Sequence, residues 1–277
     1  MRAGSPMSGV SRPEVPGREE PALVAAPGRL AAITAVAVVL TAGVFAVVGD
    51  HGTLASTQRL DEAWLRLMIS GRALPLTVIA NVFNLLGLVY ITLPVRLAIA
   101  GFLALRRRWW QLAAFVAAIV LSEILIGLLK GIYGRARPPD SLVATSGTSF
   151  PSGHAVAASV TAVAAVIALV PAGRWRAWWA MAAVAFSILM GLSRAYLGAH
   201  WLSDAVAGIL LGTSCALLTA LVVGQIQRRQ VGRGQRQPAA GQYRVDAAPA
   251  DHAAGRREPP RIRTAPSAAV STAEVMS

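Results

Sequence analysis

The sequence has little cysteine, few acidic residues and little charge of any kind. Its 277 residues contain one cysteine, Cys215, and 13 acidic residues, and charged residues make up only 14% of the chain. A single cysteine can form neither an intrachain disulfide nor a cysteine-based metal site. So low a charge content, with 55% hydrophobic residues, lies well outside the range of an ordinary soluble domain. The composition therefore indicates a membrane protein with several spans.

The positions of the positively charged residues indicate a membrane topology. The formal net charge is +13, and many of the basic residues lie near the termini or in short segments beside apolar runs. We therefore expect membrane lipids, and no nucleic acid, among the partners. Lysine is nearly absent as well, because 25 of the 26 basic residues are arginine and Lys130 is the one lysine.

Six apolar stretches define a membrane domain between two polar tails. They lie near residues 30–48, 86–105, 110–130, 153–171, 176–192 and 204–224. Each can span a bilayer as a helix, the fifth at the lower limit of length. The predicted fold is an all-α polytopic membrane protein with six transmembrane helices within residues 29–225. Residues 1–28 and the Arg-rich residues 226–277 show no apolar periodicity and are predicted to be disordered tails.

Arginines between the stretches predict the orientation. They lie between stretches two and three, between four and five, and after six: Arg106, Arg107, Arg108, Arg174, Arg176, Arg228 and Arg229. Because positively charged loops stay in the cytoplasm, both termini are predicted to be cytoplasmic in a cell-membrane protein. The remaining connections, 49–85, 131–152 and 193–203, then face outward.

The first outward connection contains a predicted amphipathic helix and an ambiguous apolar segment. Residues 56–69 place Leu60, Trp64, Leu67 and Met68 on one helical face, opposite Arg59, Asp61, Glu62 and Arg66. We expect this helix to lie on the membrane surface. The apolar residues 75–87 are interrupted by Asn81, Asn84 and Gly87, which leaves their division between loop and second span open.

The second outward loop holds three cations within eight residues. Lys130, Arg135 and Arg137 precede Pro138 at a predicted membrane surface, where crowding positive charges is costly unless an anion lies among them. Lys130 and Arg137 are therefore candidate phosphate ligands. For Arg135, a solvated loop charge and a secondary phosphate contact both remain open.

The start of the fourth apolar stretch is suited to binding a phosphate. Ser152, Gly153 and His154 would begin a helix, which offers a hydroxyl, free backbone N–H groups and the positive end of the helix dipole. His154 would stand beside that phosphate. These features indicate a phosphate cradle with a histidine available for proton transfer.

The last outward connection supplies a second histidine and a carboxylate. If His200 and Asp204 both begin the sixth helix, they share a face, and the carboxylate can orient the imidazole. Together the clusters predict phosphoryl transfer through a covalent intermediate. His200 would attack phosphorus, Asp204 would stabilise the imidazolium, and His154 would protonate the leaving oxygen and then activate water. The predicted phosphate ligands are Lys130, Arg137, Ser152, Gly153 and Arg194.

These clusters resemble the signature motifs of the type 2 phosphatidic acid phosphatase family, the lipid phosphate phosphatases. Lysine, six residues and Arg-Pro are matched by Lys130, Arg137 and Pro138; Pro-Ser-Gly-His by residues 151–154; and Ser-Arg, five residues, His, three residues and Asp by Ser193, Arg194, His200 and Asp204. The resemblance covers about residues 30–224. It implies a metal-independent reaction without a cofactor on a lipid phosphate substrate. The arginine bias predicts that the site, which is built from loops, faces outward.

Several functions remain open at this level. Undecaprenyl pyrophosphate is the preferred substrate, because a polyprenol phosphate released outside must be dephosphorylated there, with phosphatidic acid or phosphatidylglycerol phosphate next. The same phosphohistidine could serve a phosphotransferase. Vanadium haloperoxidases share these motifs but are soluble, and a non-catalytic protein with a lipid-binding Arg-rich tail is the alternative from another class. Glu123, two turns before Lys130, is either a proton or cation partner of the site or a hydrogen-bonded acid inside the bundle.

Overall fold

The computed structural model describes Leu23 and residues 26–234, and this part of the chain is all-helical. The helices are α1 (Pro27–Gly49), α2 (His51–Ser70), α3 (Leu74–Leu86), α4 (Val89–Leu105), α5 (Trp109–Tyr133), α6 (Gly153–Leu169), α7 (Arg174–Tyr196) and α8 (Leu202–Gly234). Local sequence features explain where two of these helices begin or end. Asp50 caps α2 by accepting a hydrogen bond from the Thr53 N–H, and Gly134 ends α5 in the left-handed conformation.

Four helices are long and apolar enough to cross a membrane: α1, α5, α7 and α8. The pair α3 and α4 reaches that length together but bends by 53° at Gly87 and Leu88. The bend explains why the sequence left the division of residues 75–87 open. Helix α6 is apolar but has only 17 residues. Length and composition thus support four spans, or five with the bent pair, and a sixth through α6 stays a prediction.

Helix α6 lies at the centre of the bundle and approaches α8 backbone to backbone. Val156 and Val160 of α6 belong to one buried cluster with Phe115 of α5. Two glycines make the approach to α8 possible: a Cβ at Gly208 or Gly212 would come within 2.7 Å or 2.6 Å of an α6-side carbonyl oxygen. Small residues four apart are typical of tightly packed membrane helices. This contact fixes the first turn of α6 against the first turns of α8.

Helix α2 is present as predicted, but its polar face is not turned wholly to solvent. Asp61 is 2% exposed and Leu65 is buried beside it, whereas Leu60 is 72% exposed. The prediction that Asp61 lies on the outer, polar face is therefore wrong. Its carboxylate accepts hydrogen bonds from Arg135 and Ser203 inside the protein, which offsets the cost of burying it.

Helix α8 continues beyond residue 225, so the prediction of disorder from residue 226 is wrong for residues 226–234. Gln227 of this extension accepts a hydrogen bond from the Leu23 N–H at 3.0 Å. The predicted disorder of residues 1–22 and 235–277 falls outside the described residues.

Candidate active site

The predicted site residues meet at one end of the bundle, where α5 and α7 end and α6 and α8 begin. Most lie at helix ends: Lys130 in the last turn of α5, Ser152 as the N-cap of α6, Gly153 and His154 in its first turn, Arg194 in the last turn of α7, and Asp204 in the first turn of α8. Only Arg137 and His200 lie in connections. The prediction of a site built from loops therefore needs correction, because helix ends hold most of its side chains.

Asp204 and Ser149 hold one side of the buried His200 ring. The Asp204 Oδ2 atom lies 3.6 Å from His200 Nδ1, and the Ser149 hydroxyl lies 3.4 Å from the same nitrogen. Ser149 also donates a hydrogen bond to Asp204 Oδ2, which accepts the Trp201 N–H at 3.0 Å as well. His200 lies in the turn before α8 and faces Asp204 across one helical turn. This arrangement directs Nδ1 to the carboxylate and leaves Nε2 on the opposite side of the ring.

The free side of the His200 ring faces a cation. Arg137 Nη1 lies 3.1 Å from His200 Nε2. Burial lowers the pKa of His200 to about 4, with Arg137 and Arg194 adding to that effect and Asp204 opposing it. The ring is therefore neutral at pH 7. A neutral imidazole with Nδ1 toward a carboxylate carries its lone pair on Nε2, where it accepts from Arg137 in this structure. A nucleophilic attack on phosphorus requires that lone pair.

Arg137 and Lys130 are anchored by carbonyl oxygens, most of them in the connection between α5 and α6. Arg137 donates to Gly147 O at 3.0 Å and to Ala199 O at 2.7 Å, and Lys130 Nζ donates to Thr148 O at 2.7 Å. All five N–H groups of Arg137 have a hydrogen-bond partner in this arrangement, whereas Lys130 Nζ donates one of its three within the described residues. Both positive charges are thereby fixed at the edge of the site, where they can stabilise a phosphate.

The first turn of α6 presents the cradle that the sequence predicts. The Ser152 N–H donates to Asp204 O at 3.0 Å, which ties the start of α6 to α8. A Cβ on Gly153 would meet no atom within 4 Å, so this part of the turn borders open space. The Asn84 backbone hydrogen-bonds His154, and Gly87 lies so close that a Cβ there would overlap the His154 ring.

Three buried polar atoms of the predicted site have no hydrogen-bond partner within the described residues. They are Ser152 Oγ, His154 Nε2 and Arg194 Nε. Arg194 is 3% exposed and donates one hydrogen bond through Nη1 to Asn84 Oδ1. It lies near enough to His154 to act on it electrostatically, as His200 does. Buried polar groups are normally paired, so a cluster of unpaired ones indicates a ligand with acceptor and donor atoms of its own.

Arg135 is neither a solvated loop charge nor a free phosphate contact. Its guanidinium donates to Asp204 Oδ1 and to Asp61 Oδ2, each at 2.7 Å, and it lies over the Trp201 ring. Asp61 in turn accepts from the Ser203 N–H at 2.9 Å and from its hydroxyl at 2.6 Å. The side chains of Arg135, Asp61 and Asp204 are at most 9% exposed. Helix α2 is thereby linked through Arg135 to the carboxylate that orients His200.

Glu123 forms an ion pair with Arg96 of α4 at 2.8 Å, and its side chain is 53% exposed. Arg96 also donates through Nε to Thr161 at 3.0 Å. The expectation of an acid inside the bundle is therefore wrong, because the carboxylate lies at the surface of the bundle. The alternative role as a partner of the site has no contact to support it among the described residues.

Sequence reasoning missed four residues that complete the site. Ser149 donates a hydrogen bond to Asp204, and Asp61 is linked to Asp204 through Arg135. Asn84 accepts a hydrogen bond from Arg194, and Gly87 lies against the His154 ring. The interruption of an apolar run by Asn84 and Gly87 was a usable signal. No comparable signal distinguished Asp61 from the other charged residues of its amphipathic helix.

The chain is similar in sequence to known phosphatases. A family model, the PAP2 superfamily, matches residues 111–228. A lipid A 1-phosphatase of Rhizobium etli is 38% identical over 124 residues, which cover 41% of this chain and 50% of the relative. The chain thus spans about half the length of that relative. A decaprenylphosphoryl-5-phosphoribose phosphatase of Mycobacterium tuberculosis is 36% identical over 139 residues, which cover 48% of this chain and 72% of the relative.

A solved structure shares the fold. The crystal structure of a transmembrane PAP2 type phosphatidylglycerolphosphate phosphatase from Bacillus subtilis matches with a TM-score of 0.56 and 24% identity, over 73% of this chain and 96% of that one. At this identity the likeness concerns the fold alone. The fold, the three motif clusters and the coverage of the mycobacterial relative together show that this chain belongs to the PAP2 superfamily.

Proposed function

We propose that this protein is a membrane lipid phosphatase that moves a phosphoryl group from a lipid to His200 and then to water. The observation that carries the proposal is the cluster of unpaired buried atoms, Ser152 Oγ, His154 Nε2 and Arg194 Nε, beside a neutral histidine. Phosphate oxygens would accept from the serine hydroxyl and the guanidinium. The leaving oxygen or a water would face His154.

The reaction would take two steps with His200 as the covalent carrier. In the first, a bond forms between His200 Nε2 and phosphorus, and the bond from phosphorus to the leaving oxygen breaks, which is the lipid oxygen of a phosphomonoester or the bridging oxygen of a pyrophosphate. Protonated His154 gives that oxygen its proton. In the second, His154 takes a proton from water, the water oxygen attacks phosphorus, and the bond to His200 breaks. Asp204 stabilises the His200 imidazolium between the two steps.

Lys130, Arg137, Arg194, Ser152 and the backbone of Gly153 would bind the three non-bridging oxygens of the phosphoryl group. These donors would stabilise the charge that those oxygens carry while the phosphoryl group is transferred. Lys130 Nζ has N–H groups left for a phosphate, whereas Arg137 would exchange its contact with His200 Nε2 for one with a phosphate oxygen, which would also release Nε2. All of these groups belong to the chain, and the proposed reaction requires no metal ion.

The proposed substrate is undecaprenyl pyrophosphate, with phosphatidic acid or phosphatidylglycerol phosphate next. The mycobacterial relative acts, by its name, on a decaprenyl-linked phosphate, which supports a polyprenyl substrate. The basic residues Arg106 to Arg108 and Arg174 lie at the opposite ends of the helices that carry the site. With the positive-inside bias, this arrangement supports a site on the outer face and both termini in the cytoplasm.

Release of inorganic phosphate tests the proposal. Detergent-purified protein would be incubated with undecaprenyl pyrophosphate and with phosphatidic acid, with and without a chelator. We expect chelator-resistant release that His200→Ala abolishes. Gly101→Ala is the matched control, because the added Cβ meets nothing within 4 Å. Release that survives His200→Ala contradicts the proposed nucleophile, and no release from either lipid contradicts the proposed hydrolysis.

A further inference from the structure

An apolar groove leads away from the candidate site into the bundle. It has a volume of about 270 Å³ and lies between the bent pair α3 and α4, helix α6 and helix α7. The lining includes Leu86, Ile99, Thr161, Ala165, Phe186 and Met190. The small side chains of α6 line one wall and leave space in the groove, and the larger side chains of α4 and α7 line the other walls.

Each wall of the groove carries a site residue at one end. On α6, Ala158 lies four residues after His154, which puts both on the same face of the helix. On α7, Met190 lies four residues before Arg194 and shares its face in the same way. On α3, Leu86 immediately precedes the glycine that lies against the His154 ring. The groove therefore begins about one helical turn from His154 and Arg194 and follows α6 for about 12 Å, from Ala157 to Ala165.

The two hydroxyls in the groove wall are already satisfied by the protein. Thr161 Oγ1 accepts the hydrogen bond from Arg96 Nε at 3.0 Å, and Thr92 Oγ1 donates to Leu88 O at 3.2 Å. Neither requires a polar partner from a ligand. The groove thus offers a surface suited to hydrocarbon.

The direction of phosphoryl transfer connects the groove to the leaving group. The attacking and leaving atoms lie roughly in line through phosphorus. With His200 attacking and His154 protonating the leaving oxygen, the leaving group departs on the His154 side, as an alcohol from a phosphomonoester or as a lipid phosphate from a pyrophosphate. Its hydrocarbon chain then extends from that side, and the groove begins about one helical turn from the same histidine.

We propose that this groove binds the hydrocarbon chain of the leaving group, a long-chain prenyl or acylglycerol lipid. The inference rests on the proposed function, because it takes the role of His154 from it. Chain binding there would hold the scissile bond in line with His200 Nε2. Lipids of the same phosphate chemistry would then be distinguished by the shape of their chains next to α6.

A larger apolar groove of about 590 Å³ provides the natural comparison. It lies between α1, α2 and α8, and it ends at Asp61 and Ser203. Both residues are hydrogen-bonded to each other and to Arg135, on the Asp204 side of His200. A chain there would lie behind the nucleophile rather than at the leaving oxygen.

Photo-crosslinking tests which groove is used. The probe is a long-chain alkyl phosphonate, which cannot be hydrolysed, with a diazirine near the middle of the chain. We expect crosslinks in peptides of α4, α6 and α7 that excess unlabelled alkyl phosphonate suppresses. Crosslinks concentrated in α1, α2 and α8, or spread over all helices and not suppressed, would overturn the proposal.

Paired substitutions give a second measurement. Ala162→Leu fills the proposed groove, and Gly43→Leu fills the other one, where a Cβ at Gly43 meets nothing within 4 Å. We expect Ala162→Leu to lower kcat/KM for a long-chain phosphate about tenfold relative to a short-chain phosphate, a loss typical of overpacking. Gly43→Leu should leave that ratio unchanged, and equal effects of the two would overturn the assignment.

The two failures are distinguishable in these experiments. If the proposed function fails, the wild-type protein releases phosphate from neither the short-chain nor the long-chain ester. If only the groove assignment fails, release from both esters persists while the crosslinks and the Ala162→Leu effect contradict it.

Discussion

Arg135→Gln should destabilise the protein strongly, because it removes the positive charge that lies between two buried carboxylates. The Arg135 guanidinium contacts Asp61 and Asp204 at 2.7 Å each, and the Asp204 side chain is fully buried. Glutamine can keep some hydrogen bonds but not the charge. Loss of one partner of a buried ion pair typically costs about 3–5 kcal/mol in the free energy of unfolding. We expect a loss in that range for Arg135→Gln.

Asp61→Asn should cost less, because the amide oxygen can still accept the Ser203 N–H that Asp61 accepts at 2.9 Å. The hydrogen bond from Arg135 to residue 61 loses its charged acceptor, so we expect the free energy of unfolding to fall by about 1–3 kcal/mol. In the double variant, the neutral amide at position 61 leaves one unpaired carboxylate instead of two. The double variant should therefore lose less free energy of unfolding than the sum of the two single losses, by about 1–3 kcal/mol.

The assay is unfolding in mixed micelles with rising denaturing detergent, applied to the wild type, both single variants and the double variant. Arg59→Gln is the matched control on the exposed face of α2 and should stay within about 0.5 kcal/mol of the wild type. Additivity of the two single losses within about 0.5 kcal/mol would refute the shared network.

Three further predictions concern the site and the helix contacts. Gly87→Ala should lower kcat at least about tenfold, measured as phosphate release, because the new Cβ overlaps the His154 ring; Gly101→Ala, which enters open space, should not. Gly212→Ala should lower the free energy of unfolding by about 1–3 kcal/mol relative to Gly101→Ala, because its Cβ lies 2.6 Å from an α6 carbonyl oxygen; equal stabilities would contradict the close approach of α6 and α8. By ¹⁵N NMR the His200 ring should be neutral at about pH 6 and protonate only near pH 4, because burial lowers its pKa to about 4; titration near the ordinary value of 6.5 would contradict its burial. Since the unfolded chain takes up this proton first, the contribution of His200 to stability should fall as the pH drops from about 6.5 to 4.

Much of the membrane domain could be predicted because apolar length and motif spacing are local properties of a sequence. The helical character of residues 26–234 and the membership in the PAP2 superfamily are confirmed. The motif spacing also brought the right residues together, since His200 and Asp204 lie one turn apart and the cations surround them. The catalytic and phosphate-binding roles of these residues stay predictions.

What could not be predicted depends on contacts between distant segments. Asp61 was predicted on the polar face of its helix, and Arg135 was left open between a solvated loop charge and a secondary phosphate contact. The two are 74 residues apart in the sequence and paired in the structure. The environment of Glu123 was predicted from its position on its own helix alone, whereas it depends on the ion pair with Arg96 of α4. Helix length was also overestimated for the fourth stretch, because Val170 leaves the helical conformation and ends α6 early.

Trapping the phosphoryl group on the protein is the direct test of His200 as its carrier. A lipid phosphate labelled with ³²P would be mixed with wild type, His154→Ala and His200→Ala, quenched in alkali, which preserves phosphohistidine, and the protein digested for mass spectrometry. We predict label on the peptide containing His200, accumulating in His154→Ala because water is no longer activated, and absent from His200→Ala. Label on another residue, or phosphate release by His200→Ala without any labelled protein, would contradict this mechanism.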